Sequence, residues 1–189
     1  MTTEMILSIF LGIGLAASSG FRVFVPLFAL SCAAYFHIIP LNDSWQWVAS
    51  TPALIILGVA SIAESISSLI PLVDHLLDTV AVPLAGIAGK FVMASTLTDM
   101  SPDMTWALAI IAGGGAAATI KGTAATTRVA STATTGGLAN PAVSVAETGT
   151  AIGLSALSIF SPIFAMIALL IGLLMMIWVV IMVKNRVKR

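Results

Sequence analysis

The sequence predicts an all-α membrane protein: a polytopic bundle of about six transmembrane helices, in two loosely repeated halves with broken or re-entrant helices. Two observations predict this class. Of the 189 residues, 59% are hydrophobic and 8% are charged, with a mean hydropathy of +1.09. The apolar residues also form long blocks with short polar breaks. A soluble core of this size cannot bury them, whereas a bilayer can surround them. We expect one domain, 1–189, with possible halves 1–99 and 105–189.

The first apolar block is too long for one straight helix. It runs from about residue 5 to 39, whereas one crossing needs ~20 residues. Ser18-Ser19-Gly20 interrupts it, and Arg22 and Pro26 follow. This pattern predicts a broken helix or a re-entrant hairpin near residue 20.

The remaining apolar spans are separated by shorter polar segments. Trp45 and Trp47, between the first two spans, suit a membrane–water interface. The apolar spacing over 72–80 predicts a short amphipathic helix. Gly149-x-x-x-Gly153 is typical of packed membrane helices. The predicted spans cover residues 52–70, 82–97, 105–120, 142–160 and 163–183.

The basic residues predict the orientation. Half of the 8 Lys and Arg residues follow the last span, so the C-terminus should be cytoplasmic. The segments 37–51 and 99–104 contain neither, so both should face outward. If the first block crosses once, the chain has six crossings and both termini are cytoplasmic, which is the topology we predict. The alternative is separate crossings of 5–19 and 21–36, which gives seven and an outward N-terminus.

The first break has a counterpart later in the chain. The pattern Ala17-Ser18-Ser19-Gly20 recurs as Ala133-Thr134-Thr135-Gly136, and a proline follows each copy. Broken helices expose backbone N–H groups and a positive helix end, which suit an anionic or polar ligand. Small and hydroxyl residues are equally common where helices merely pack, so packing remains the alternative. The predicted substrate-binding residues are Ser18, Ser19, Gly20, Arg22, Arg128, Thr134, Thr135, Gly136, Gly137 and Asn140.

Three acidic residues are candidates for a coupling proton or cation: Glu64, Asp74 and Asp78. Glu64 lies inside an apolar span, where an unpaired carboxylate would cost about 3 kcal/mol. It must therefore pair, take up a proton or line a wet cavity. Asp74 and Asp78 are four residues apart on one helical face and are weak candidates for a metal site. The alternative for Asp74 and Asp78 is that they face water on an amphipathic helix that connects two spans. The alternative for Glu64 and Glu147 is a structural ion pair.

Three stretches carry a resemblance to a known family. Residues 20–27, 130–141 and 73–79 resemble the signature stretches of an uncharacterised bacterial integral-membrane family. The resemblance implies a multi-pass protein of the bacterial inner membrane and implies no substrate.

The function predicted from these features is a small inner-membrane transporter or permeation protein for a small polar or anionic solute. A metal-dependent enzyme acting on a lipid phosphate and a scaffold without transport are the alternatives. Zero net charge gives no support for nucleic-acid binding, and Cys32 alone cannot form an internal disulfide. No nucleotide-binding loop or nucleophile motif is present. We expect no cofactor, the lipid bilayer and the solute as partners, and homo-oligomers through Gly/Ala-rich helix faces.

Overall fold

The structure is a computed structural model that describes residues 2–68 and 71–187, with the side chains of 71–79 and 176–187 outside the description. The described residues are helical, which confirms the all-α part of the predicted fold class, while the six crossings and the two repeated halves stay predictions. Their elements are α1 Thr3–Phe21, α2 Phe24–Tyr35, a 3₁₀ helix Asp43–Ala49, α3 Thr51–Ser67, α4 Pro71–Thr96, α5 Pro102–Leu108, a π-helical segment Ala109–Gly114, α6 Gly115–Thr135, α7 Asn140–Phe160 and α8 Pro162–Val187.

The first break lies just after the predicted position. α1 continues through Ser18 and Gly20 to Phe21, and the chain becomes extended at Arg22, with φ −136° and ψ 129°. The hydroxyl of Ser19 donates to the Leu15 carbonyl one turn earlier, so it is satisfied inside the helix. The sequence motif therefore marks the end of α1 and lies within its last turns.

α2 runs back along α1, so the two helices form a hairpin. Leu11 and Leu15 of α1 share a buried cluster with Leu30 and Ala34 of α2. After α2 the chain reaches Asn42, whose side-chain amide donates to the Leu97 carbonyl at 2.9 Å. The last residue of α4, Thr96, packs on Gly12 of α1, where an added Cβ would lie 2.6 Å from the Thr96 hydroxyl.

Small residues allow α4 to approach the π-helical segment closely, and α1 to approach α6. A Cβ added at Gly113 would lie 2.6 Å from the Gly89 carbonyl oxygen, and one at Gly20 would lie 2.7 Å from the Ala117 carbonyl. Such backbone approach between membrane helices requires glycine or alanine at the contact. Val23, Ala85 and Ala117 complete this contact as one buried cluster.

The second break joins α6 to α7 at the positions that the sequence indicated. Gly136 and Gly137 have φ of 63° and 87°, in the left-handed region that favours glycine. α7 then runs antiparallel to α1: Ser158 lies against Gly14, Ser155 against Ser18, and Ser144 against Arg22. The two breaks consequently lie at the same end of the bundle.

The apolar helices suggest a membrane protein. Among the described residues, Thr3–Phe21, Pro102–Thr135 and Asn140–Phe160 are long and apolar enough to cross a bilayer. The 3₁₀ helix and α3 pass the same criterion together, although they are bent by 67° at their junction. Shorter apolar helices cover Phe24–Tyr35, Val80–Thr96 and Pro162–Met175. Length and composition alone therefore do not decide how many of these helices cross the membrane.

Candidate functional site

A buried ionic cluster lies at the first break. Arg22 is 2% exposed, Arg128 4% and Glu147 5%. Arg128 donates through Nε to Glu147 Oε1 at 3.1 Å and through a terminal nitrogen to Oε2. A terminal nitrogen of Arg22 lies 3.7 Å from the same Oε2. One carboxylate of α7 is therefore shared by two guanidinium groups, one from the end of α1 and one from α6.

Neutral groups of α7 hold the two guanidinium groups in place. Arg22 donates through Nε to the Thr148 hydroxyl at 2.9 Å and through a terminal nitrogen to the Ser144 carbonyl at 2.8 Å. Arg128 lies 3.3 Å from the Ser144 hydroxyl, which itself donates to the Ser68 carbonyl at the end of α3. Hydrogen-bonded partners of this kind are what a buried charge requires.

Glu64 is bound to the N-terminus of α2. Its two carboxylate oxygens accept the backbone N–H groups of Val23 and Phe24 at 2.7 and 2.9 Å. A carboxylate at this position satisfies amides that have no partner within the helix and complements the positive helix end. Lys90, a further basic residue of the apolar spans, lies over the rings of Phe91 and Trp106.

A cavity of about 330 Å³ lies beside the cluster. The cavity is lined by residues at the end of α1, at the start of α2 and in the last turns of α3. Residues of α4 and α6 complete the lining. Three basic side chains contribute to the lining, together with Glu64 and two serines of α3. The lining residues are Arg22, Val23, Phe24, Ala60, Ala63, Glu64, Ser67, Ser68, Ala81, Leu84, Lys121 and Arg128.

The hydroxyls before the first break lie in a packed interface. Ser18 and Ser19 are fully buried, and Gly20 is buried against Ile120. The Ser18 hydroxyl donates to the Ala151 carbonyl at 2.8 Å and shares a hydrogen bond with Ser155. Of the residues predicted at this break, Arg22 alone lines the cavity.

The residues of the second break are more exposed. Thr134, Thr135 and Gly136 are exposed, and the two hydroxyls donate to carbonyls one turn earlier. Gly137 is half-buried. Asn140 is buried and donates to the Thr132 hydroxyl at 3.0 Å, but its own side-chain oxygen has no hydrogen-bond partner. Among the residues predicted at the second break, Arg128 lines the cavity.

Asp74 and Asp78 belong to the first turns of α4, and their side chains lie outside the described residues. Within the described part of the chain, no group of three His, Cys, Asp or Glu residues is placed to hold a metal ion. The weak metal prediction for the two aspartates therefore stays a prediction.

Sequence reasoning left Ser144, Thr148 and Lys121 out of the predicted site and treated Glu147 as a lesser counterpart of Glu64. The sequence does contain a periodic pattern on α7 that could have identified Ser144 and Glu147. Polar residues on α7 lie at 140, 144 and 147 and again at 155 and 158, with Ala151 at the intervening position, as expected for one helix face. These residues are buried in the structure: Asn140, Ser144, Glu147, Ser155 and Ser158.

Comparison with known sequences gives a family but no function. No curated protein and no solved structure matches the chain. A family model described as a domain of unknown function, DUF4126, matches residues 9–182, a region that contains α2 to α7, the ionic cluster and the cavity. Because this match covers most of the 189 residues, the chain belongs to the DUF4126 family.

Proposed function

We propose that the protein is a small membrane transporter or permeation protein that binds a small polar or anionic solute in the cavity beside the ionic cluster. The observation that carries the proposal is the Arg22–Glu147–Arg128 cluster, which is buried within the helix bundle and includes the residue at the end of α1. Ionisable groups within membrane segments are costly and are a mark of ion or solute pathways.

The lining of the cavity supports an anionic or hydrogen-bonding solute. Arg22, Lys121 and Arg128 are basic, whereas Glu64 already accepts two backbone amides. Guanidinium groups recognise planar oxyanions through paired hydrogen bonds. Serine hydroxyls of α3 add groups that both donate and accept.

The arrangement of the breaks also favours transport over a purely structural role. Helix breaks at matching depth in the two parts of a chain are typical of transporter binding sites. Here both breaks lie at one end of the bundle, and Arg22 at the first break and Arg128, about two turns before the second, share Glu147. Glu64, with Asp74 and Asp78, remains our candidate for binding a coupling proton or cation.

We further propose seven membrane segments in the bacterial inner membrane. Because α2 returns along α1, the residues before α1 lie at the same end as the segments 37–51 and 99–104. The excess of Lys and Arg after α8 favours a cytoplasmic C-terminus, which puts the N-terminus outside. This is the alternative to the six-crossing topology, which treats residues 5–36 as one crossing.

The test is anion flux in proteoliposomes that contain the purified protein. Chloride, phosphate and acetate are the probes, and empty liposomes give the background. Lys121→Gln removes a charge from the cavity lining and is expected to lower the flux of at least one probe by about tenfold. Lys90→Gln is the matched control, since Lys90 does not line the cavity.

Wild-type flux at background for all three anions would contradict the proposal. Equal loss of flux in the two lysine variants would contradict the placement of the solute in this cavity. Tight Mg²⁺ binding that Asp74→Asn with Asp78→Asn abolishes would instead support the enzyme that acts on a lipid phosphate.

A further inference from the structure

The carboxylate of Glu64 lies in the lining of the cavity beside the ionic cluster, on amides that belong to the same lining. Its two oxygens accept the N–H groups of Val23 and Phe24 at 2.7 and 2.9 Å. Glu64, Val23 and Phe24 are all lining residues of this cavity of about 330 Å³. The acceptor of the two amides therefore borders the space in which we place the solute.

The Glu64 carboxylate differs from that of Glu147 in how its charge is compensated. In the part of the chain that the structure describes, the ion pairs are those of Glu147 with Arg22 and Arg128. Glu64 is half-buried, and its oxygens accept two neutral N–H groups. Release of Glu64 thus breaks two hydrogen bonds but neither of these ion pairs. Glu64 is consequently the carboxylate that leaves its position at the lower cost.

The position that Glu64 occupies suits a carboxylate of any origin. N–H groups at the start of a helix have no partner within the helix, and the helix dipole favours negative charge beside them. A carboxylate presents two oxygens in one plane, and each accepts one N–H group, as Glu64 does. A free carboxylate that replaced Glu64 would form the same two hydrogen bonds, so the exchange leaves no amide unsatisfied.

The other lining residues attract an anion and limit its size. Arg22, Lys121 and Arg128 line the same cavity, and a cleft lined by basic side chains concentrates anions. A volume of about 330 Å³ is at the lower end of the range for small-molecule sites. Half of the lining is apolar, so a short hydrocarbon chain with a single carboxylate fits it. The apolar lining residues are Val23, Phe24, Ala60, Ala63, Ala81 and Leu84.

We infer that the cavity binds a short-chain monocarboxylate, whose carboxylate displaces that of Glu64 from the amides of Val23 and Phe24. Glu64 is then a built-in competitor, which occupies the two amides when no solute is bound. The inference rests on the proposed function, because it assigns a solute class to the same cavity. It makes Glu64 an exchangeable cap of α2 and the residue that sets the affinity for the solute.

The experiment measures the binding of propionate to the purified protein in detergent. Binding is read from the rise in melting temperature with propionate concentration at constant ionic strength. Glu64→Ala removes the competitor and is expected to lower the half-saturating concentration by about tenfold relative to the wild-type protein. In this variant, propionate should also restore slow amide hydrogen exchange at Val23 and Phe24. Propionamide has nearly the same shape without the charge and should have neither effect.

Two lysine variants test whether propionate binds in this cavity. In the Glu64→Ala background, Lys121→Gln should raise the half-saturating propionate concentration by about tenfold, because it removes a charge from the lining. Lys90→Gln is the matched control and should leave that concentration unchanged, since Lys90 does not line the cavity. If the alanine variant unfolds, Glu64→Gln serves in its place, because it keeps one acceptor oxygen for α2. Its half-saturating concentration should lie between those of the wild-type protein and the alanine variant.

Three outcomes would overturn the inference. One is a wild-type protein on which propionate has no saturable effect although it has one on Glu64→Ala, which would make Glu64 a permanent cap. Another is an effect of propionamide equal to that of propionate, which would remove the recognition of charge. The third is equal weakening of propionate binding by the two lysine variants, which would place the ligand outside this cavity.

Failure of the inference and failure of the proposed function give different results. Flux of chloride or phosphate that depends on Lys121, without propionate binding, would retain the transporter and exclude the carboxylate as its solute. Propionate binding that depends on Glu64 and Lys121, without flux of any anion, would retain the binding site and exclude transport.

Discussion

Glu147 has a larger structural role than its position in the sequence suggests. It is the shared partner of Arg22 and Arg128, both of which line the cavity. A charge that is buried with its partners is tolerated, but removal of one member leaves the others buried with incomplete compensation. The burial of Arg22 and Arg128 therefore depends on Glu147, which lies more than a hundred positions after Arg22 in the sequence.

Glu147→Gln tests this dependence. The variant keeps the shape of the side chain but removes its charge, and we expect a loss of about 3 kcal/mol in the free energy of unfolding. The measurement is thermal or denaturant unfolding in detergent. Glu4→Gln, at an exposed site, is the control and should leave stability unchanged. Equal stability of the two variants would mean that the cluster does not contribute to the fold.

At the scale of elements, α2 begins with a cap from another helix. No side chain near its own N-terminus forms the capping hydrogen bond, and Glu64 of α3 accepts the amides of Val23 and Phe24. The α1–α2 hairpin is thereby fastened to α3.

Glu64→Ala should release the start of α2. We expect a loss of about 1 kcal/mol and faster amide hydrogen exchange over residues 22–25, because two N–H groups lose their acceptor. Glu64→Gln retains one acceptor oxygen and should give an intermediate result. Unchanged exchange at Val23 and Phe24 in the alanine variant would contradict the capping role.

Close helix contact gives a second prediction at this scale. Gly20→Leu should be strongly destabilising, since even a Cβ at Gly20 would lie 2.6 Å from Ile120 and 2.7 Å from the Ala117 carbonyl. Gly122→Leu, on α6, meets no atom within 4 Å at its Cβ and should retain the wild-type melting temperature. A similar drop in melting temperature in both variants would show that the close contact of α1 with α6 does not explain the destabilisation by Gly20→Leu.

At the scale of the whole molecule, the hairpin of α1 and α2 decides the topology. Cys32→Ser gives a cysteine-free background. In it, Thr2→Cys and Ser44→Cys should both react with a membrane-impermeant reagent from outside, whereas Asn185→Cys should not. Reaction of Thr2→Cys with the same sidedness as Asn185→Cys would restore the six-crossing topology with both termini cytoplasmic.

Part of the candidate site could be predicted because it depends on local chemistry. Gly136 and its neighbours mark a helix break, since few residues other than glycine adopt a positive φ. Arg22 and Arg128 were predicted because they lie near the two breaks, and Glu64 because a charge within an apolar span needs a partner or a function. The relation of Arg22 to Glu147 could not be predicted, because the sequence gives no measure of which helices become neighbours.

The sequence by itself determined the apolar all-α class, the approximate positions of both breaks and three of the charged residues, Arg22, Arg128 and Glu64, because these follow from hydropathy and backbone preference. Only the tertiary structure decided that Ser18 and Ser19 pack and Arg22 lines the cavity, that Glu64 caps α2, and that Glu147 joins two arginines. Those roles depend on which helix faces meet, and that choice is made by packing among segments of almost uniform apolar composition.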